Sequence, residues 1–432
     1  MATSAITQPL RLPSETLPNR LAKAAMTEGL ADWRGHASEG LVRLYEAWGR
    51  SGAGLLITGN VQVDAEHLER PGNVVIAGSQ GEQAKSALKR WSQAARAGGA
   101  GVWMQLSHAG RQTPALVNPT PKAPSSAPLA LPGKLYGVPV PLREEEIALV
   151  VERFAAAAAV ARETGFTGVQ IHAAHGYLLS QFLSPLANRR ADAWGGSLEN
   201  RARLLLEIVR AIRASVGKDF TVAVKLNSAD FQKGGFTPGE SLTVAGWLER
   251  EGVDLIEISG GNYEQPRMMK LEGVEKPDLT GLPTSTTARE AYFMDFAVQM
   301  RGHLKLPLMV TGGLRTSQAM NDAIANDGIA LVGIARPMVV DPDAARRLLD
   351  GAAALDRYED RLRLGPGVFG PKSPFTLVRA ANGFGALYWQ YQQLRRLARG
   401  EPPKLALGLL QAISSEQRCQ REWMANYDPQ AH

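Results

Sequence analysis

Eight short apolar runs alternate with longer amphipathic segments over the first 350 residues, and this alternation is the strongest constraint on the fold. The runs are rich in Val, Ile and Leu, as strands buried on both faces are. They lie at Leu21–Met26, Gly54–Asn60, Val102–Leu106, Gly168–His172, Thr221–Asn227, Asp254–Ser259, Pro307–Thr311 and Ile329–Ile334. Eight strand-then-helix units predict an α/β chain folded as a single (βα)8 TIM barrel.

The segments between the runs carry helix start and stop signals. Residues 144–165 open with three glutamates and end on a glycine, and residues 197–217 open with Ser197 as an N-cap and also end on a glycine. Residues 240–252 and 316–328 repeat the pattern. We therefore expect helices that connect the parallel strands and cover the outside of the barrel.

Two stretches depart from this repeat. Residues 107–143, between the third strand and the third helix, are dense in Pro, Ser and Gly, which predicts an ordered lid or substrate loop. Beyond Asp350 the sequence is helix-like and lacks further strand-helix units. We divide the chain into a catalytic barrel domain, residues 1–350, and a C-terminal helical extension, residues 351–432, packed on the barrel.

Composition excludes several classes of protein. A single cysteine, Cys419, excludes an internal disulfide and a Cys-ligated zinc or iron–sulfur site within one chain. No apolar run has the length of a signal peptide or the roughly 20 residues of a membrane span, which predicts a cytoplasmic protein without a membrane partner. The net charge is +6, but the basic residues of the tail are scattered, which favours a solvated surface over a nucleic-acid partner.

In this architecture the chemistry lies at the carboxyl ends of the strands, so the residues there predict the site. They carry amide, hydroxyl, imidazole, ammonium, guanidinium and glycine groups and no cluster of carboxylates, which argues against a carboxylate-bridged metal or a glycosidase pair. The main candidates are Met26, Thr27, Asn60, Gln105, His172, His175, Lys225, Gly312, Gly313, Ala335 and Arg336.

His172 and His175 stand three residues apart in IHAAHGYLLSQFLSP, with Tyr177 two residues further on. This spacing allows a metal site, a helix turn that happens to carry histidines, or a pair of hydrogen-bond donors aimed at a substrate. A metal site needs further histidine or carboxylate ligands, and the other strand ends supply neither. We therefore predict no metal.

The ends of the seventh and eighth strands carry groups that suit a phosphate, and three polar residues at other strand ends suit a flat heterocyclic ring. Gly312 and Gly313 let backbone N–H groups approach a phosphate, and Arg336 on the next strand can bind its oxygens. The amide of Gln105, the hydroxyl of Thr27 and the ammonium of Lys225 suit a heterocycle with alternating N–H and C=O edges, such as an isoalloxazine.

The stretch GVQIHAAHGYLLSQFLSPLANRRADAWGGSLENRARLLLEIV (168–209) resembles the old yellow enzyme family of FMN-dependent ene-reductases and NADH:flavin oxidoreductases. NRLAKAAMTE (19–28), MQLSHAGRQ (104–112), VTGGLRT (310–316) and GIARPMVVDPD (333–343) agree in order and spacing, so the resemblance covers roughly residues 8–350. It implies FMN as cofactor and NADH or NADPH as reductant. The chain lacks the GxGxxG fingerprint of a separate dinucleotide-binding domain. The resemblance therefore implies a ping-pong cycle, in which NAD(P)H and the acceptor bind in turn at the same site.

The resemblance also implies roles for individual residues. Met26 and Thr27 would contact the flavin near N5 and O4, beside Ala25, where members often have proline. Asn60 would lie against the flavin, Gln105 would bind its pyrimidine edge and Lys225 would stand near N1. The phosphate would be held by Gly312, Gly313, Ala335 and Arg336. The substrate oxygen would be bound by His172 and His175, and Tyr177 would be the proton donor.

These roles predict an oxidoreductase that reduces the C=C bond of activated alkenes, namely enones and nitroalkenes. One alternative is a flavin reductase or NAD(P)H oxidase acting on quinones or nitro compounds. Another is a flavin-barrel RNA-modifying enzyme, which relies on a catalytic cysteine, whereas Cys419 lies in the tail. A non-catalytic partner-binding barrel leaves the polar strand ends unexplained. Trp389 and Tyr391 are candidates for a homodimer interface.

Overall fold

Eight parallel strands form a closed barrel in the computed structural model, which describes residues 4–131, 134–264 and 291–431. Every strand pairs in parallel with its neighbours, and β1 pairs with both β2 and β8, which closes the barrel. The strands are β1 Leu21–Lys23, β2 Leu55–Gln62, β3 Gly101–Ser107, β4 Gly168–Ala173, β5 Thr221–Asn227, β6 Leu255–Ser259, β7 Leu308–Thr311 and β8 Leu331–Ile334. The predicted (βα)8 barrel is confirmed.

Helices follow the strands where the capping signals predict them. The helices are α1 Glu39–Gly49, α2 Glu82–Ala95, α3 Glu144–Glu163, α4 Leu178–Leu183, α5 Leu198–Val216, α6 Pro238–Arg250, α7 Ala291–Arg301, α8 Ser317–Ala325, α9 Pro337–Val340, α10 Ala344–Leu349, α11 Thr376–Ala398 and α12 Leu409–Met424. The Ser197 side chain caps α5 by accepting a hydrogen bond from the Asn200 N–H. Within the described ranges, no helix is both long and apolar enough to cross a membrane.

The amino-terminal end of the barrel is closed by apolar side chains. A hairpin of two short strands, Leu10–Arg11 and Thr16–Leu17, packs its leucines against Leu55, Trp103 and Met309. The Trp103 indole N–H donates to Glu15 of the same hairpin. Because side chains fill this end, a ligand can enter the barrel only at the carboxyl ends of the strands.

The long connection between β3 and α3 is ordered over its described residues, which exclude 132–133. Two short strands within it, Lys122–Ala123 and Val140–Pro141, pair in parallel. Arg111 donates to the carbonyl of Ala127 at 3.0 Å and forms an ion pair with Glu264 at 2.9 Å. This buried arginine joins the connection to the segment that follows β6.

Helices α11 and α12 of the extension pack on the barrel beside α1 and the loop after β2. The Arg70 guanidinium of that loop pairs with Glu416 of α12 and lies 3.4 Å from the ring centroid of Tyr391. Trp389 and Tyr391 are only 1% and 8% exposed. Our choice of them as interface residues was wrong, because they pack within the chain. A homodimer and the division at residue 350 stay predictions.

Candidate active site

The strand order brings several predicted residues together at the carboxyl end of the barrel. Asn60 lies opposite Gln105 in the β2–β3 pairing, and Lys225 lies opposite His172 in the β5–β4 pairing. Ala25 and Ala335 are half-buried against the same interior cluster, at the ends of the adjacent strands β1 and β8. Residues from distant parts of the chain therefore line one mouth.

A chain of polar side chains crosses the barrel interior below this mouth. The Gln105 amide donates to Gln170 at 2.6 Å, and the Gln170 amide donates to Glu257 at 2.8 Å. The other oxygen of Glu257 lies 3.0 Å from the Lys225 ammonium. Lys225 is thus held in place by a buried counter-ion. Gln170 and Glu257 were not predicted, although they lie opposite the predicted residues Gln105 and Lys225 in the strand pairing.

Glu69 is a second buried carboxylate, after Glu257, and it contacts the loop that follows β1. One of its oxygens accepts hydrogen bonds from the Thr27 hydroxyl at 2.7 Å and from the Asn60 amide. Burial raises the pKa of Glu69. Glu69 and Glu257 are single carboxylates with different partners, and neither was predicted. Glu69 comes seven residues after β2, so a survey of strand ends does not reach it.

The loop that carries Met26 and Thr27 is anchored from below. The Lys23 ammonium donates to Tyr45 at 3.1 Å and to the carbonyl of Ile57 at 2.8 Å. The Glu28 carboxylate accepts from the Tyr45 hydroxyl and from the Gly59 N–H. A Cβ at position 59 would lie 2.3 Å from Glu28, so the close approach of this loop to β2 requires glycine.

Replacing Lys23 with methionine is expected to change how stability depends on pH. Burial lowers the pKa of Lys23 to about 8 from its ordinary 10.5. Between these values the unfolded chain holds the proton and the folded chain has lost it. The lysine's contribution to the free energy of unfolding therefore rises with pH across this window, by on the order of 3 kcal/mol in total.

Urea unfolding of wild type and Lys23→Met at about pH 7 and about pH 10 measures this change. The stability of wild type relative to the variant should rise with pH. Lys85→Met, which removes a lysine paired with Glu163 on the surface, is the control. A wild-type advantage that stays constant or falls with pH would contradict a neutral buried Lys23 at high pH.

The two histidines of the IHAAHGY stretch lie at the end of β4 and in the turn before α4. His172 Nδ1 accepts from the Ala174 N–H at 3.2 Å, which leaves its Nε2–H as a donor. His175 has a φ of +60° and donates its backbone N–H to Asn227 at 3.1 Å. Because His172 belongs to the strand, the two do not share a helix turn. The interpretation of the two histidines as part of one helix turn is therefore wrong.

The electrostatics of the site keep both imidazoles neutral. Their ring centroids lie 4.9 Å apart. Burial, with a contribution from the Lys225 charge, holds the pKa of both rings well below the ordinary value. Each neutral ring carries one N–H. The His175 Nε2 also forms a hydrogen bond with the hydroxyl of Ser259, whose role the sequence did not reveal.

Tyr177 stands against His172, with ring centroids 4.8 Å apart. Burial raises the pKa of Tyr177 well above 10, so its hydroxyl keeps its proton at neutral pH. That hydroxyl lies 2.8 Å from the hydroxyl of Tyr263, which follows β6. Tyr136, from the β3–α3 connection, lies 6.0 Å from Tyr263 between ring centroids. These two tyrosines were missed because neither stands at a strand end.

The predicted anion site would lie at the ends of β7 and β8. Gly312 and Gly313 have φ values of +108° and +79°, and a Cβ at Gly312 would meet no atom within 4 Å. The backbone is thus open to a ligand there. The Arg336 guanidinium lies 3.6 Å from the Glu359 carboxylate, which Arg315 also contacts, at 2.6 Å. Arg315 and Glu359 were not predicted.

Asp64, His67 and His108 lie close enough together to suggest a metal site. His67 Nε2 accepts from the Lys122 N–H at 2.8 Å, so its Nδ1, 2.8 Å from Asp64, carries the proton. His108 Nδ1 accepts from the Gly110 N–H, so its Nε2 carries the proton and faces Asp64. Both nitrogens that face the carboxylate are protonated and cannot ligate. The absence of a metal stays a prediction.

The residues at the mouth fit a flavin phosphate ester. Among the described residues, the buried polar atoms at strand ends that have no hydrogen-bond partner include Asn60 Oδ1, Ser107 Oγ, Ser228 Oγ and Thr311 Oγ1. Buried polar atoms of this kind are normally paired with a bound molecule or water. With the open glycine at β7, Arg336 and the Lys225 cation, they form a set of groups suited to a polar ring and an anionic tail.

Comparison with known proteins agrees with this chemistry. Residues 5–354 match the model of the NADH:flavin oxidoreductase / NADH oxidase family. The NADH-dependent flavin oxidoreductase iccE of Talaromyces variabilis is 37% identical over 343 residues, 76% of this chain and 82% of that relative. The NADH-dependent flavin oxidoreductase iliE of Neonectria sp. (strain DH2) is 39% identical over 343 residues. The chain covers only 44% of that second relative, less than half its length.

Solved structures show the same fold. An old yellow enzyme homologue from Zymomonas mobilis superposes with a TM-score of 0.67 at 26% identity, covering 82% of this chain and 94% of that one. Morphinone reductase superposes with a TM-score of 0.66 at 26% identity, covering 82% and 92%. The family match ends at residue 354, so nearly all of the extension lies beyond it.

Proposed function

The chain belongs to the NADH:flavin oxidoreductase / NADH oxidase family, with FMN and NAD(P)H as its cofactors, and from that premise we propose that it reduces the C=C bond of activated alkenes. The acceptors would be enones or nitroalkenes. One observation carries the proposal: the neutral His172 ring lies against both the neutral His175 ring and the ring of Tyr177, whose hydroxyl keeps its proton. A cytoplasmic location stays a prediction.

Bound FMN would supply the hydride that passes from NAD(P)H to the β-carbon of the acceptor. Met26, Thr27, Asn60, Gln105 and Lys225 would hold the ring. The phosphate would be held by Ala335, Arg336 and the backbone of Gly312 and Gly313. Lys225 would favour negative charge on the ring, although Glu257 offsets part of that effect.

The substrate would be bound through its electron-withdrawing oxygen. His172 and His175 would donate hydrogen bonds to the carbonyl or nitro oxygen, which stabilises the negative charge that develops there. Tyr177 would give its proton to the α-carbon, which completes the addition of two hydrogens. The Tyr263 hydroxyl, 2.8 Å from that of Tyr177, would stabilise the tyrosinate left behind.

The alternative acceptors differ in what they require of Tyr177. A quinone accepts a hydride without protonation at carbon, so it would need the imidazoles more than the phenol. The RNA-modifying alternative requires a cysteine at the mouth, and Cys419 lies in α12 of the extension. The geometry around Tyr177 therefore favours the alkene.

Anaerobic titration of the FMN-loaded protein with NADH and with NADPH tests the proposal. The flavin absorbance should bleach with at least one of them. It should recover on addition of an enone or a nitroalkene, with one equivalent of saturated product. Recovery with a quinone alone would replace the proposal with quinone reduction, and a protein that takes up no flavin would overturn it.

A further inference from the structure

A segment of the extension returns to the predicted phosphate site. The Ser317 N–H donates to the carbonyl of Ala353 at 2.9 Å, and the Leu355 N–H donates to the carbonyl of Arg315 at 2.8 Å. These bonds dock the segment along the loop that follows β7. A short 3-10 helix, Tyr358–Arg361, comes next and carries Glu359 to the ends of β7 and β8.

Glu359 brings a negative charge to two arginines at once. A single carboxylate oxygen lies 2.6 Å from Arg315 Nη2 and 3.6 Å from Arg336 Nη1. The Arg315 side chain is only 6% exposed, and its buried Nε has no partner among the described residues. The Arg336 side chain is 22% exposed. One carboxylate therefore faces two guanidinium groups that are largely removed from water.

A flavin phosphate would seek the same two groups. A phosphate monoester carries about −1.5 to −2 charges at neutral pH, and guanidinium groups bind its oxygens in pairs. The nearby Glu359 carboxylate neutralises part of the positive charge of the two arginines and repels the phosphate. Because water is partly excluded from the site, solvent and salt weaken this repulsion less than they weaken repulsion between exposed groups.

We propose that Arg315 is a second phosphate-binding arginine and that Glu359 is an internal competitor for the FMN phosphate. The inference rests on the proposed function, since it takes the ends of β7 and β8 as the phosphate site. It gives the extension a role, because docking of the Glu359 segment and binding of the phosphate oppose each other. By linkage, weakening one strengthens the other.

Flavin affinity of the full-length apoprotein tests this inference. Quenching of flavin fluorescence at low ionic strength gives the Kd for FMN and for riboflavin, which lacks the phosphate. Glu359→Gln keeps the shape of the side chain and removes its charge. We expect its Kd for FMN to fall about tenfold, with less effect at high salt, and its Kd for riboflavin to stay unchanged.

Further variants separate charge from folding. Arg315→Met should raise the Kd for FMN about tenfold or more and leave riboflavin binding unchanged. Glu401→Gln, which removes a surface carboxylate elsewhere in the extension, should alter neither. If Glu359→Gln folds poorly, Glu359→Asp withdraws the carboxylate by one methylene and should lower the Kd for FMN to a smaller degree.

The outcomes distinguish this inference from the proposed function. An unchanged or higher Kd for FMN in Glu359→Gln overturns the competitor role, as does an equal change for riboflavin. An unchanged Kd for FMN in Arg315→Met overturns the arginine's role. Wild-type protein that binds neither flavin overturns the proposed function itself.

Discussion

Tyr177→Phe is expected to slow the reduction of an enone by about 10²–10⁴-fold, the usual cost of losing a general acid, while leaving the reduction of FMN by NAD(P)H at its wild-type rate. The phenylalanine retains the ring packing against His172 and loses only the proton donor. The high pKa of Tyr177 means that the wild-type hydroxyl is protonated throughout the neutral range.

Stopped-flow absorbance of the flavin measures the two half-reactions separately. Tyr427→Phe is a matched control, because it also removes a hydroxyl, one that donates to the carbonyl of Ala65 from the extension. It should leave both half-reactions unchanged. Wild-type enone turnover by Tyr177→Phe would remove Tyr177 from the mechanism and leave water or Tyr263 as the proton source.

His172→Ala is expected to slow hydride transfer to the enone by about 10²–10³-fold, as losing one donor of an oxyanion hole does. The same variant should weaken the binding of phenols, whose oxygen occupies the place of the substrate oxygen, by about 10–100-fold. Both effects have one cause, namely loss of the Nε2–H that the Ala174 contact at Nδ1 leaves available.

Titration with phenols measures the binding loss through the charge-transfer absorbance that a phenol gives with an oxidised flavin. His172→Asn retains an N–H donor and should restore part of the affinity. His303→Ala, which removes a histidine at the protein surface, should bind phenols as wild type does. If His172→Ala keeps the wild-type affinity, the oxygen is held elsewhere.

The fold was predictable because strand and helix signals are local. All eight runs became strands within a few residues of their predicted bounds, and Ser197 caps α5 as expected. The rule that parallel strands share one functional end then selected Thr27, Asn60 and Lys225 without any knowledge of contacts. Burial on both faces explains why the runs were recognisable.

The candidate site residues that the sequence pointed to lie at or close to the carboxyl ends of strands. Glu69, Tyr136 and Glu359 lie in connections, and their positions depend on how those connections fold back. Glu257 lies within a strand, where one face points into the barrel and the other toward the helices. A buried carboxylate there has no sequence signal apart from the lysine that it meets across the pairing.

The sequence by itself determined the order of strands and helices, the end of the barrel that carries the chemistry and the residue types that gather there, because these follow from local periodicity and from the direction of parallel strands. Only the tertiary structure decided the protonation states of those residues and the charged groups that they contact. Burial set the protonation states of His172 and Tyr177. The segment after α10 folds back onto the barrel and brings Glu359 close to Arg336. Such effects depend on distance and on exclusion of water, which the sequence does not encode locally.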